Sequence, residues 1–195
     1  MNTVHSQTPL LIVVGGTPAT GKSTLAASIA DDLSLPMFSK DVLKETLFDA
    51  LVDGPEMSAS PELSQTISDL ALASLLSIAT ELVSRKVGMV LEADFRPNDG
   101  QRLFAPFLNS TMMRQVHCTV EERELEERHL ERTEEGNRHP VHVDDLEKVK
   151  IHLEAGDFEP LWLPIPLLSV NTTDGYHPSF EKIVAFARTG SGASN

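Results

Sequence analysis

The chain has 195 residues, 41% of them hydrophobic, so one domain with one sizeable core is expected. Its formal net charge of −13 argues against electrostatic docking on nucleic acid or on an anionic membrane, although it does not exclude a local basic groove. The single cysteine, Cys118, excludes an internal disulfide framework and suits a reducing cytoplasm.

Residues 1–8 read as a disordered leader without the basic region of a signal peptide. Leu10–Val14 is an apolar run that predicts a first strand. The segment LLIVVGGTPATGKST then carries Gly16, Gly21, Lys22 and Ser23 in the pattern G-x-x-x-x-G-K-[ST], a P-loop. Backbone N–H groups of such a loop ring a phosphate, and the following helix adds its positive dipole end. Gly16, Thr17, Ala19, Thr20, Gly21, Lys22, Ser23 and Thr24 are therefore the candidate nucleotide-binding residues. Lys22 is placed to reach the β- and γ-phosphates, and Ser23 to ligate Mg²⁺.

Helix one is expected over Lys22–Leu33, with Leu25, Ile29 and Leu33 on one face. Pro36–Ser39 reads as a short buried strand, and Asp41–Leu51 as a helix with a Leu43, Leu47, Leu51 stripe. Gly54-Pro55 and Ser58–Pro61 mark a loop. A long helix follows at about Glu62–Lys86, with Leu63, Ile67, Leu70, Leu75, Ile78 and Leu82 on or near one face. Its most apolar part, Leu70–Thr80, is too short to span a bilayer. Val87–Leu91 reads as a central parallel strand. Gln101–Leu108 is a short helix that Pro106 is placed to interrupt.

Met112–Val120 reads as the fourth strand. The charged stretch Glu121–Glu134 is helical in pattern, Gly136–Pro140 breaks it, and Val143–Leu153 resumes the helix. Trp162, between prolines, reads as a packing anchor. Leu167–Val170 is the last strand, Pro178–Arg188 the last helix, and residues 190–195 a flexible tail. Five strands alternating with helices predict an α/β three-layer sandwich, a parallel sheet covered on both faces with ligands at the strand ends. One domain is expected over residues 9–189, with an arginine-bearing lid at about 121–154.

Three stretches bear on chemistry. Asp41, just after strand two, is placed either as a base toward an attacking hydroxyl or as a cap of its helix. Glu92 and Asp94, at the end of strand three, are placed to hold Mg²⁺, Glu92 through water, or to stand solvated. Arg123–His142 includes Arg128 and Arg132, four apart on one helix face, and Arg138. Such arginines on a mobile segment either stabilise a transferring phosphoryl group or lace an exposed helix with ion pairs. His139-Pro140-Val141-His142 is too short-spaced for a metal site. Cys118 reads as packing. Asn171-Thr172-Thr173-Asp174 differs from a guanine-reading motif by Thr172 in place of lysine.

GGTPATGKSTLA, SKDVLKETL, VLEADFRP and a lid ending in RHP together resemble the P-loop kinases related to chloramphenicol phosphotransferase, zeta toxins and the kinase domain of bacteriophage polynucleotide kinase, AAA-type ATP-binding proteins. The resemblance spans about residues 10–188. It implies that Asp41 is the base toward the substrate hydroxyl, that Glu92 is the acidic residue ending strand three, and that Arg132 and Arg138 are lid arginines. The resulting expectation is an ATP- and Mg²⁺-dependent transfer of the γ-phosphoryl group to a hydroxyl of a small molecule such as an antibiotic, nucleoside or other metabolite. A nucleotide-binding regulatory module without transferase activity and a 5′-hydroxyl polynucleotide kinase are the alternatives.

Overall fold

The computed structural model describes residues 8–52, 58–134, 138–143 and 145–191. The leader, the Gly54-Pro55 turn, Gly136 and most of the tail lie outside the described residues. In chain order the strands are β1 (Leu10–Gly16), β2 (Met37–Ser39), β3 (Met89–Glu92), β4 (Met112–Thr119) and β5 (Leu167–Asn171). The helices are α1 (Lys22–Leu33), α2 (Lys40–Leu51), α3 (Pro61–Ser84), α4 (Gly100–Leu108), α5 (Glu122–Glu134), α6 (Leu146–Glu154) and α7 (Phe180–Thr189), with a 3₁₀ turn at Pro97–Asp99.

The five strands form one parallel sheet in the order β2-β3-β1-β4-β5. β1 is central and buried on both faces, which is why it is an unbroken apolar run. Strand alternation divides the core. Leu11, Val13, Met89, Leu91 and Met113 pack with α3 and α4 on one face. Ile12, Val14, Val90, Val116 and Cys118 pack with α1 and α7 on the other. Each large buried side chain contributes about 1.5–3 kcal/mol relative to exposure.

The inner faces of two helices differ from the leucine stripes read in the sequence. On α3 the buried line is Ser64, Ile67, Ala71, Leu75, Ala79 and Val83, whereas Leu63 and Leu70 face outward. Small residues win this face because they let the helix lie close to the sheet. By length and composition alone α3 would also span a bilayer, but here its inner face packs on the sheet core. On α2 the buried line is Lys40, Lys44 and Phe48, and Leu51 is exposed. That helix faces a polar cleft rather than an apolar sheet.

Smaller corrections follow from local geometry. β3 begins at Met89, because Lys86 takes a left-handed turn (φ 62°) and Val87 is partly exposed. Gly88 passes so close to β1 that a Cβ would stand 2.8 Å from Leu10 O. Pro106 lies inside α4 without interrupting it. Trp162 is 67% exposed, and its neighbour Leu161 packs in the core instead. Adjacent residues of an extended segment point to opposite sides.

Candidate active site

β1 delivers the chain to the P-loop. Gly16 crosses β4 so tightly (φ 135°) that a Cβ there would lie 2.2 Å from Cys118 O. Ala19 (φ 65°) and Gly21 (φ 73°) are left-handed. α1 starts at Lys22 with no side-chain cap and no acidic residue in its first turn. Its first N–H groups and dipole are thus left to an anion, which is what a triphosphate requires. Ser23 and Thr24 are exposed toward the cleft, while Thr17 and Thr20 are buried.

The buried threonines hold the loop. Thr20 Oγ1 donates to Thr17 O at 2.8 Å. From the end of β5, Thr172 Oγ1 lies 2.7 Å from Thr20 O and 3.1 Å from Thr119 O, as a donor to either. Arg128 braces the same junction from α5. Its Nη2 donates to Thr172 O (2.7 Å) and Thr173 O (3.1 Å), its Nη1 to Ala19 O (3.4 Å) and its Nε to Glu124 Oε1 (2.8 Å). Most of the Arg128 donors are therefore engaged with protein groups.

The acidic residues take distinct positions. Glu92 is 1% exposed and is not on the cleft wall. Ser39 Oγ donates to its Oε2 at 2.6 Å, and Lys22 Nζ stands 4.0 Å from its Oε1. Burial pushes the Glu92 carboxyl above its ordinary value, against the pull of Lys22 and Ser39. Asp94 does line the cleft, in an ion pair with Lys40. Burial opposes charge on both, but the pairing outweighs it, lowering Asp94 and raising Lys40.

Asp41 stands in the first turn of α2 on the cleft wall. Neither Asp41 nor Ser39 caps that helix with its side chain. The Ser39 hydroxyl is committed to Glu92 instead, and the Asp41 carboxylate makes no hydrogen bond among the described residues.

The segment 138–143 packs against α2 and the start of α3. Val141 is fully buried against Phe48, Ala59 and Ile67. Ser64 Oγ donates to Val141 O at 2.7 Å, and Ala59 N to Pro140 O at 3.1 Å. His139 pairs with Asp49 (3.0 Å) and His142 with Glu45 (2.8 Å). Lys150 ties α6 to Glu126 of α5 at 2.5 Å. Arg132 and Arg138 both line the cleft beneath this cover. Cys118 lies in the core, where burial pushes its thiol up to about 12.

These elements enclose a cleft of about 650 Å³. Its wall carries Lys22, Lys40, Lys44, Lys148, Arg96, Arg128, Arg132 and Arg138 against Asp41, Asp94, Glu131 and Asp145. Eight of the 16 Lys and Arg residues thus gather here with only four of the 29 Asp and Glu residues. An acidic protein has built a basic cavity.

Lys40, Lys44, Ser64 and Thr172 were not among the candidates read from the sequence. The spacing of Lys40, Lys44 and Phe48 at i, i+4, i+8 beside Asp41 is the signal that marks the α2 face. Nothing in the sequence around Ser64 or Thr172 distinguishes them, since their partners lie 77 and 152 residues away.

The AAA domain family matches residues 11–155. The structure is similar to that of a presumptive kinase from Chloroflexus aurantiacus J-10-fl, with 33% identity and a TM-score of 0.82, covering 95% of this chain and 100% of that one. It also resembles Chaetomium thermophilum Kti12 in complex with ADP-AlF3 (19% identity, TM-score 0.62, 89% and 96% covered). A gluconokinase from Sinorhizobium meliloti 1021 shares the fold at 20% identity and a TM-score of 0.56, with 94% and 92% covered. No curated protein matches the sequence. The chain belongs to the AAA domain family and has the P-loop kinase fold.

Proposed function

We propose that the protein transfers the γ-phosphoryl group of ATP to a hydroxyl of a small molecule. The observation that carries this reading is Asp41, a carboxylate without a hydrogen-bond partner among the described residues, on the wall of the same cleft as the P-loop lysine. Motif resemblance to chloramphenicol phosphotransferase, zeta toxins and polynucleotide kinase supports a hydroxyl acceptor. A kinase name attaches to the 33% identical structure as well.

In this reading the P-loop amides and Lys22 hold the β- and γ-phosphates. Asp41 accepts the acceptor's proton as its oxygen attacks the γ-phosphorus, and ADP leaves with the bridging oxygen. Mg²⁺, when bound, would neutralise phosphate charge, and Ser23 and Asp94 on the cleft wall, with Glu92 through water, would hold it. Arg132 and Arg138 face the cleft from the lid side and would neutralise charge developing on the transferring group. Arg128 acts instead as a positioning residue for the loop. The lone buried thiol fits a reducing cytoplasm.

The test is transfer of label from [γ-³²P]ATP to a panel of antibiotics, nucleosides, sugars and hydroxy acids, with a 5′-hydroxyl oligonucleotide included. Labelled product with the wild type and none with Lys22→Ala is expected. ATP binding with no transfer to any hydroxyl compound would favour a regulatory module.

A further inference from the structure

Four lysines line the cleft, and three stand within ion-pair distance of a carboxylate. Lys22 stands 4.0 Å from Glu92, Lys148 3.5 Å from Asp145, and Lys40 pairs with Asp94. Lys44 is the exception. It is 8% exposed, yet it makes no ion pair among the described residues. Its Nζ donates to Ser64 Oγ at 2.8 Å, and Ser64 Oγ donates in turn to Val141 O. One ammonium proton is thereby committed, and the hydroxyl that takes it is neutral. Two protons are left for the cleft, since an ammonium carries three donors.

A buried cation with no carboxylate in ion-pair contact is costly to keep. Burial, then the neighbouring Lys40 and Arg138, press Lys44 toward losing its proton and outweigh the opposing pull of Asp41 and Asp94. A methyl-tipped side chain would fill the same space at no such cost, so the charge calls for a ligand that uses it. Lys44 also follows Asp41 by three residues on α2, which puts the two on neighbouring sites one turn apart, about 5–6 Å between Cβ atoms.

We propose that the acceptor is anchored by an anionic group, a carboxylate or a phosphate, seated on the Lys44 ammonium, so that its reactive hydroxyl falls one helical turn away at Asp41. This deepens the phosphotransferase reading and rests on it for the identity of the bound molecule as acceptor. Ser64 sets the direction of the Lys44 ammonium and ties it to the 138–143 segment through Val141. The anion is small. Outside the cleft wall the chain has eight basic residues against 25 acidic ones, so a polymer would have to leave over acidic ground.

The subsite is tested by filling the P-loop of the full chain with a non-hydrolysable ATP analogue and Mg²⁺. Inorganic phosphate and acetate are then titrated separately by calorimetry, against chloride at matched ionic strength. Saturable binding of at least one is expected, weakened tenfold or more in Lys44→Gln, which keeps a donor for Ser64, and partly restored in Lys44→Arg. Affinity for the nucleotide analogue should stay within about twofold. Preference for phosphate or for acetate tells which anion the acceptor carries. No saturable binding beyond chloride in the wild type overturns the subsite, as does unchanged anion binding in a folded Lys44→Gln or Lys44→Met. Because this titration needs no turnover, it stays separate from failure of phosphoryl transfer, which appears only in the labelled-ATP assay.

Discussion

Ser39 Oγ donates to Glu92 Oε2 across 2.6 Å, joining the last residue of β2 to the last residue of β3 beneath the P-loop lysine. The bond takes the Ser39 hydroxyl away from the start of α2, and Asp41, two residues further on, lines the cleft.

Glu92 gives the first expectation, a pH dependence. Its carboxyl is raised above the ordinary 4.5 by burial. The native state therefore holds this proton more tightly than the unfolded state does. Stability contributed by the group is lost as pH rises from about 4.5 through the raised value, and the full penalty stands above it. Glu92→Gln keeps an acceptor for Ser39 and removes the charge. Thermal melts between pH 4 and 8 should show the variant gaining on the wild type as pH rises, with the gain vanishing at the acid end. A variant less stable than wild type at pH 8 would mean that the attraction of Lys22 outweighs burial.

The Thr172–Arg128 brace gives the second. Thr172→Val removes the hydroxyl that Thr20 O and Thr119 O share, leaving a buried carbonyl without its donor. The cost is about 1–3 kcal/mol. Arg128→Lys loses the forked contact to Thr172 O and Thr173 O. Both variants should weaken nucleotide binding by roughly tenfold, 1.4 kcal/mol being one decade. Calorimetric titration with ATP checks this, and wild-type affinity in both would remove the brace from the binding machinery.

The packing of the 138–143 segment gives the third. Val141→Ala deletes two methyl groups from the cluster with Phe48, Ala59 and Ile67. A loss of about 1–2 kcal/mol, or roughly 2–8 °C in Tm, is expected. Faster hydrogen exchange should be confined to residues 138–143 and the start of α3. His142 beside it is kept below its ordinary value by burial and by Arg138, with Asp41, Glu45 and Lys44 also facing it. Stability from neutral His142 is present above about 6.5 and is lost as pH falls through its lowered native value. Acid should therefore loosen the same segment. Unchanged exchange in Val141→Ala would show that this segment is held elsewhere.

What could be read from the sequence divides along a physical line. β1, the P-loop and α1 were legible because pattern and chemistry coincide there, an apolar strand feeding a glycine turn and a lysine-led helix. The five strands followed from short apolar runs between turns, and their parallel order from the alternation with helices. The inner face of α2 was not legible from hydrophobic periodicity. Hydrophobic periodicity selects Leu43, Leu47 and Leu51, while the fold buries Lys40 and Lys44, whose partners come from Asp94 and Ser64 on other elements. Arg128 and Arg132 were indistinguishable as i, i+4 neighbours. Only the distant carbonyls of Ala19 and Thr172 separate the bracing arginine from the cleft-facing one. The His139–His142 segment looked mobile because one buried side chain, Val141, anchors it, and its partners Phe48, Ala59 and Ile67 lie far away in the chain.

The central claim is that Asp41 drives phosphoryl transfer while the P-loop independently holds the nucleotide. The direct measurement is the turnover of Asp41→Asn beside its affinity for ATP, on the hydroxyl compound that the wild type labels best. A fall in kcat of about 10²–10⁴, with ATP affinity within about twofold of wild type, is the expected result. Transfer at the wild-type rate by a folded Asp41→Asn would contradict it.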